Sequence, residues 1–357
     1  MYFKQIDSLR FFAVSLVLLA HWSYGLPYVE RLRFSSIGVD LFFVISGFLI
    51  SLQLYDFKNN IDKGQVTFSK TLKIFYVRRM LRIFPLYYFI IFVSALFNTG
   101  EIREALFWNI GYLSNFYFIK MQHWTSTFSH FWSLSVEEHF YLAWPFIVLL
   151  TSKKHLPYVF VCVSLLAVLF RYVSFSQNHN LFIVNIHTVS CLDLFMIGGA
   201  LAYIYKYQHN LFMKIFSSVT YRYAILCCFI FLYYILVVRF DLVNFNWIFQ
   251  RPLLGIVYAS VIGFLVIGVT GNMGRLLENK YLIHLGKLSY GIYLVHNFIP
   301  GVLLPIKKIG LPFYIEFLVY FIVTYVISEL LHRWIEKPVR NLNRHFKIDS
   351  GKFQKTI

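Results

Sequence analysis

The sequence predicts an all-α integral membrane protein of about ten transmembrane helices, with short loops and both termini in the cytoplasm. Three observations predict it. Only 14% of the 357 residues are charged while 59% are hydrophobic, whereas a water-soluble domain carries about 25% charged residues. Apolar segments close to the ~20 residues a crossing needs recur from end to end, with no hydrophilic block long enough for a separate domain. Most of the 33 Lys and Arg residues fall on one side of the resulting topology, which the positive-inside rule assigns to the cytoplasm.

The spans are expected over residues 9–26, 37–55, 83–98, 133–151, 156–174, 189–206, 222–239, 252–270, 282–300 and 312–331. The stretch Ala105–Ile119 is apolar but too short to cross, and reads as an interfacial or re-entrant element. An even number of spans places both termini on one side, and the loop 175–188, without Lys or Arg, fits the other. The first apolar run is long and lacks a small-residue cleavage site, so it reads as a retained helix, not a signal peptide. One membrane domain, 1–340, is expected, followed by a basic cytoplasmic tail, 341–357. The net charge of +17 does not require nucleic acid. Lys337, Arg340, Arg344 and Lys347 sit where anionic headgroups attract them, and no nucleic-acid reading motif is present. Cys162, Cys191, Cys227 and Cys228 all fall within spans and read as small apolar residues.

The ionisable residues inside these spans carry the chemistry. Arg10 and His21 lie eleven residues apart on the first span, which leaves them about 20° apart around a helix and roughly 16 Å apart along it. Charge inside an apolar span is expensive, so a stacked pair marks a candidate functional site, and a buried histidine can exchange a proton near neutral pH. Asp40, in Gly38–Phe48, reads either as a helix cap or as a partner of His21, with Ser46 and Gly47 allowing close backbone approach. Arg78, Arg79 and Arg82 precede Pro85. They read either as topology-fixing, snorkelling residues or as forks for the phosphates of a cytosolic anion. Glu137 and Glu138 open the fourth span about 100° apart; one can face a cavity, or both can complement the helix dipole. Trp132 and Trp144 read as interfacial anchors, Asp193 and His296 as hydrogen-bonded packing groups, and Glu336 as a partner for Arg78, Arg79 or Arg82.

Together these segments resemble the acyltransferase-3 family of bacterial membrane proteins. The likeness runs from Ile6 to about Arg340 and rests on five blocks in order: Asp7-Ser8-Leu9-Arg10 with His21; Gly38–Phe48; Arg79-x-x-Arg82 with Pro85; Trp132–Pro145; and Gly286–His296. Ser8 replaces a more usual glycine, and His139 a more usual glutamine. The resemblance implies transfer of an acyl group, commonly acetyl, from cytosolic acyl-CoA to a hydroxyl of a surface polysaccharide or envelope glycan. It implies an essential histidine at His21, the motif arginine at Arg10 and the Arg-x-x-Arg pair at Arg79 and Arg82. It also implies a bacterial cytoplasmic (inner) membrane, with envelope-glycan biosynthesis proteins as partners. The esterase-like domain fused to some members is not found, so a second step would need another protein.

On this reading Arg79 and Arg82, with Arg78 and Arg10, hold the phosphates of acyl-CoA, and the thioester reaches His21. His21 acts as general base or forms an acyl-histidine, and Asp40 or Glu137 orients the imidazole. No tightly bound cofactor is expected beyond acetyl-CoA as co-substrate, and no metal, since ligand spacings are missing. Two other classes compete: a transporter of a glycan or lipid intermediate, and a non-catalytic membrane interaction protein. Against the transporter, no inverted repeat or pair of broken helices is visible.

Overall fold

The computed structural model describes residues 2–23, 34–125, 127–178, 181–233, 243–304 and 308–342. Among them all regular structure is helical, as the composition predicts. The principal helices are α1 (Lys4–Trp22), α2 (Phe34–Asp62), α3 (Phe68–Leu96), α4 (Phe131–Leu150), α5 (Leu156–Asn178), α6 (Leu192–Tyr207), α7 (Val219–Tyr233), α8 (Val243–Ile267), α9 (Ser289–Val295) and α10 (Phe313–Leu331). Six stretches are helical, long and apolar enough to cross a membrane: Phe34–Asp62, Phe68–Leu96, Lys153–Gln177, Thr188–Tyr207, Ile248–Ile267 and Phe313–Asn341.

The other four expected spans differ for identifiable reasons. α1 and α4 are continuous helices of 19 and 20 residues, but Asp7 with Arg10, and Glu137 with Glu138, lower their hydropathy. The expected span 222–239 begins within α7, and its residues 234–239 lie outside the described residues, as does the tail from 343. The expected span 282–300 is not one helix. It breaks into Lys280–Lys287, α9, the 3-10 turn His296–Phe298 and Ile299–Val302. Pro300 cannot donate a helical hydrogen bond. The first piece packs on α1 so tightly that a Cβ on Gly286 would fall 1.8 Å from the Asp7 carbonyl oxygen. The stretch 105–119 forms two short helices, Leu106–Ile110 and Ser114–Met121, with Tyr112 between them at a φ of 53°; neither is long enough to cross.

α2 is the buried centre, packed against α1 on one side and α6 on the other. Small residues let it approach both. A Cβ on Gly38 would meet the Ala13 carbonyl at 2.5 Å, and one on Gly47 would meet the Phe195 carbonyl at 2.3 Å. Without a hydrophobic driving force between helices in lipid, such backbone approach is what association draws on. Aromatic rings fill the remaining space: Phe43 lies 4.8 Å from Phe195, and Phe140 stacks on Phe195 at 4.3 Å. Arg171 of α5, 1% exposed, pairs with fully buried Asp193 of α6 at 2.6 Å. It also donates to the carbonyls of Ser190 and, at 3.0 Å, Ile248, so one guanidinium joins α5, α6 and α8. This supports the reading of Asp193 as a packing group.

The start of α1 is held by polar contacts to the segment before α9. Gln5 exchanges two hydrogen bonds of 2.9 Å with the Val269 backbone, and Ser8 donates to the Leu277 carbonyl at 2.5 Å. These contacts fix the axial position of Arg10.

Candidate functional site

Arg78, Arg79 and Arg82 lie on one side of α3, and the start of α1 brings Arg10 to them. The four line a cavity of about 560 Å³ together with Lys287 and Arg340. Among the described residues two carboxylates, Asp7 and Glu336, share its wall, and each has a nearby base: Asp7 lies 3.8 Å from Arg10, and Glu336 lies 2.8 Å from His332. Glu336 therefore reaches the arginine-lined cavity, but its carboxylate bonds to His332 Nδ1 at 2.8 Å and not to Arg79 or Arg82 as the sequence suggests. Among the described residues no carboxylate comes within ion-pairing distance of Arg79 or Arg82. The Arg79 guanidinium instead donates to Gln53 Oε1 at 3.3 Å and lies over the Tyr141 ring at 5.2 Å. An excess of cations in a recess is a site for an anion, and guanidinium forks match phosphate oxygens bidentately.

A narrower cavity of about 100 Å³ opens from this one, sharing Arg10, Leu49, Arg79, Arg82 and Tyr290. It runs between α2, α3, α4 and α9. Ser46 of α2 donates to Glu137 Oε1 at 2.8 Å and accepts from Tyr141 at 3.1 Å, so Glu137 faces the cavity. Glu138 also lines it; the two neighbours share one recess despite their angular separation. At its far reach the cavity is lined by Ser133 and Tyr293, whose hydroxyls are 2.6 Å apart.

Tyr293 in turn donates to the carbonyl of His130 at 3.2 Å, and three imidazoles meet behind it. The ring of His21 lies 5.0 Å from that of His296, which lies 4.8 Å from that of His130. Partners fix two of the tautomers. His296 donates from Nδ1 to the Tyr293 carbonyl at 2.6 Å, and His130 from Nε2 to the Leu294 carbonyl at 3.1 Å. That leaves His296 Nε2 and His130 Nδ1 as lone-pair acceptors, buried and without a hydrogen bond among the described residues. Asn297, whose amide donates to Ser129 Oγ at 3.1 Å, lies beside His21. An imidazole held through one N–H by such acceptors keeps its other nitrogen free to take a proton.

Asp40 is placed differently from the expected pairing with His21. Its carboxylate Oδ1 lies 3.3 Å from Nε of Arg251 in α8. The reason is angular: Gly38 faces α1, and two residues further round α2 turn through about 200°, so Asp40 points away from His21. Glu137 bonds to Ser46, and the polar partners of His21 are Asn297 and His296. Both carboxylates named as orienting groups for His21 are therefore engaged elsewhere. Arg251, Asn297 and His130 escaped the sequence reading. Arg251 stood one residue before the expected span 252–270 and enters a helix only because α8 begins at Val243, and nothing local marks Asn297 or His130.

A third cavity, of about 310 Å³, lies at the end of the bundle remote from the arginines. Ser35 and Ser36 at the start of α2 line it, with Trp124, Trp132, Asp40 and Arg251. Val39 is common to its wall and that of the narrow cavity. Among the described residues no three His, Cys, Asp or Glu side chains are grouped as metal ligands.

Residues 3–333 match the acyltransferase domain family known as Acyl_transf_3. YrhL of Bacillus subtilis (strain 168), whose name assigns it provisionally to peptidoglycan O-acetylation, is 29% identical over 364 residues, covering 95% of this chain and 55% of that protein. The peptidoglycan O-acetyltransferase OatA of Listeria monocytogenes is 27% identical over 369 residues, covering 95% of this chain and 56% of its own. The chain thus spans a little over half the length of these curated relatives. No solved structure matches it.

Proposed function

Because the chain belongs to the acyltransferase domain family that covers residues 3–333, we propose that it is a multi-pass membrane O-acyltransferase moving an acetyl group from cytosolic acetyl-CoA to a glycan hydroxyl. The names of its relatives point to peptidoglycan or a similar envelope glycan as acceptor, and a bacterial inner membrane with cytoplasmic termini fits that role. One observation carries the reading. The arginine-lined cavity continues into a narrow one that reaches Ser133 and Tyr293, against which the His21 cluster is built. That shape suits a phosphate-rich head with a slender thioester arm.

In the proposed reaction Arg79 and Arg82, with Arg10 and Arg78, bind the phosphates of acetyl-CoA and hold its arm along α2 and α4. His21 removes the proton of the acceptor hydroxyl as its oxygen attacks the thioester carbonyl carbon. A C–O bond forms, the C–S bond breaks, and the coenzyme A thiolate leaves, taking the proton back from the imidazolium. His296 and Asn297 hold the imidazole and support its transient charge. General-base catalysis of this kind contributes about 10²–10⁴-fold.

The test is glycan mass spectrometry of cells making the wild type, the His21→Ala variant or neither. An acetyl increment seen only with wild type is expected, together with normal membrane levels of the variant. Wild-type acetylation in His21→Ala cells overturns the assignment of His21, and no increment with wild type overturns the acyl-transfer reading in that host.

A further inference from the structure

Apart from Val39, the cavity remote from the arginine cluster is built from residues that line neither of the other two. Two indoles stand in its wall, Trp124 and Trp132. Trp124 is 49% exposed and packs at 4.9 Å against Phe182, while Trp132 lies edge-on to Phe43 at 6.0 Å. Between them come polar groups, Asn185 and Gln250, and the ion pair Asp40–Arg251.

Asp40 is the observation that points to a ligand. Only 5% of it is exposed, yet Oδ1 has no hydrogen-bonded donor among the described residues; the 3.3 Å approach of Arg251 is an ion pair without hydrogen-bond geometry. Paired with Arg251 but not hydrogen-bonded, that oxygen keeps a lone pair that a hydroxyl brought into the cavity would meet. Indole faces with a few convergent polar groups are the mixture expected of a small-molecule site. The apolar face of a pyranose ring fits the indoles, its hydroxyls fit Asp40, and an N-acetyl group fits the amides of Asn185 and Gln250.

The start of α4 ties this cavity to the reaction. His130 belongs to the imidazole cluster, Trp132 to this cavity, and Ser133 to the narrow one. Three parts of the molecule therefore meet within four residues.

We infer that this cavity is the acceptor subsite and that it takes an N-acetylhexosamine unit of a glycan, held on Trp124 and Trp132 and bonded by Asp40, Asn185 and Gln250. The inference rests on the proposed acyl transfer, and its test separates the two. Binding of labelled chitotriose to the purified full chain in detergent is measured for wild type, Trp124→Ala and Gln250→Ala. The Michaelis constants for chitotriose and for acetyl-CoA are measured in parallel. Trp124 is half exposed but also packs at 5.3 Å on buried Phe118, so Gln250→Ala, at the cavity wall, is the variant that leaves core packing in place.

The expected result is a loss of chitotriose affinity of about tenfold in each variant, the size of one stacked or hydrogen-bonded contact. The acceptor KM rises in step and the acetyl-CoA KM stays within about twofold. Unchanged affinity in both variants overturns the inference, as does a shift confined to the acetyl-CoA KM. Wild-type protein that binds chitotriose through Trp124 but transfers nothing upholds the subsite and overturns the proposed activity. Protein that acetylates cell-wall glycan in cells but does not bind chitotriose upholds the activity and overturns the subsite.

Discussion

Arg79 and Arg82 are arginines with no acidic partner within ion-pairing distance among the described residues, and that is what separates a binding site from a structural ion pair. A buried pair such as Arg171–Asp193 satisfies itself and offers little to a ligand, whereas cations facing an open cavity are completed by an anion. Arg82→Ala is expected to raise the acetyl-CoA KM about 10–100-fold, the value of one or two charged hydrogen bonds at roughly 1.5–3 kcal/mol. Arg82→Lys is expected to recover part of that loss, because a point charge replaces a fork. Steady-state kinetics on the purified protein checks both, and a change confined to the acceptor KM would remove Arg82 from the donor site. The Arg-x-x-Arg spacing made this group legible, since two residues on one helix keep their relation wherever the helix packs. Asp40 was not legible in the same way. Its partner Arg251 is more than two hundred residues away in sequence, and only the contact of Gly38 with α1 fixes which way Asp40 points.

Helix packing imposes its own constraint. α2 and α6 cross at glycines on both sides: a Cβ on Gly198 would fall 2.2 Å from the Val44 carbonyl, and one on Gly47 would fall 2.3 Å from the Phe195 carbonyl. Both obstacles are backbone and cannot swing aside. Gly198→Val is therefore expected to cost about 1–3 kcal/mol through overpacking, read as a lower thermal midpoint in detergent, with the loss of transfer following the loss of fold. A variant of wild-type stability would show that the crossing relaxes. Hydropathy found α2, α3, α5, α6, α8 and α10, because length and apolar composition are properties of each segment alone, but it began α3 at 83 where the helix begins at Phe68 and carries Arg78, Arg79 and Arg82. It misjudged 282–300, where the break depends on Pro300 and on Gly286 seated against Asp7, and the second of these is a tertiary fact.

Across the whole molecule, the arginine-lined cavity, the narrow cavity and the indole-lined cavity share walls in sequence, through Leu49 and Tyr290 and then through Val39. A bulky residue in the narrow part should sever donor from acceptor. Ser46→Phe is expected to lower transfer by at least about a hundredfold, in line with the cost of small misplacements of reacting groups. Binding of free coenzyme A at the arginines is expected to stay within a few-fold of wild type. Transfer at the wild-type rate would mean that the acyl arm takes another route. The sequence by itself determined the class of the protein, most of its helices, its resemblance to membrane acyltransferases and the stripe that carries Arg10 and His21. Each of these depends on composition, on order along the chain or on the geometry of a single helix. Tertiary structure alone decided that Asp40 pairs with Arg251 and that His130, His296 and Asn297 gather around His21. It also decided that a third cavity meets the narrow one at Val39, because these relations join residues from different helices, and one chain order is compatible with many packings of the same helices.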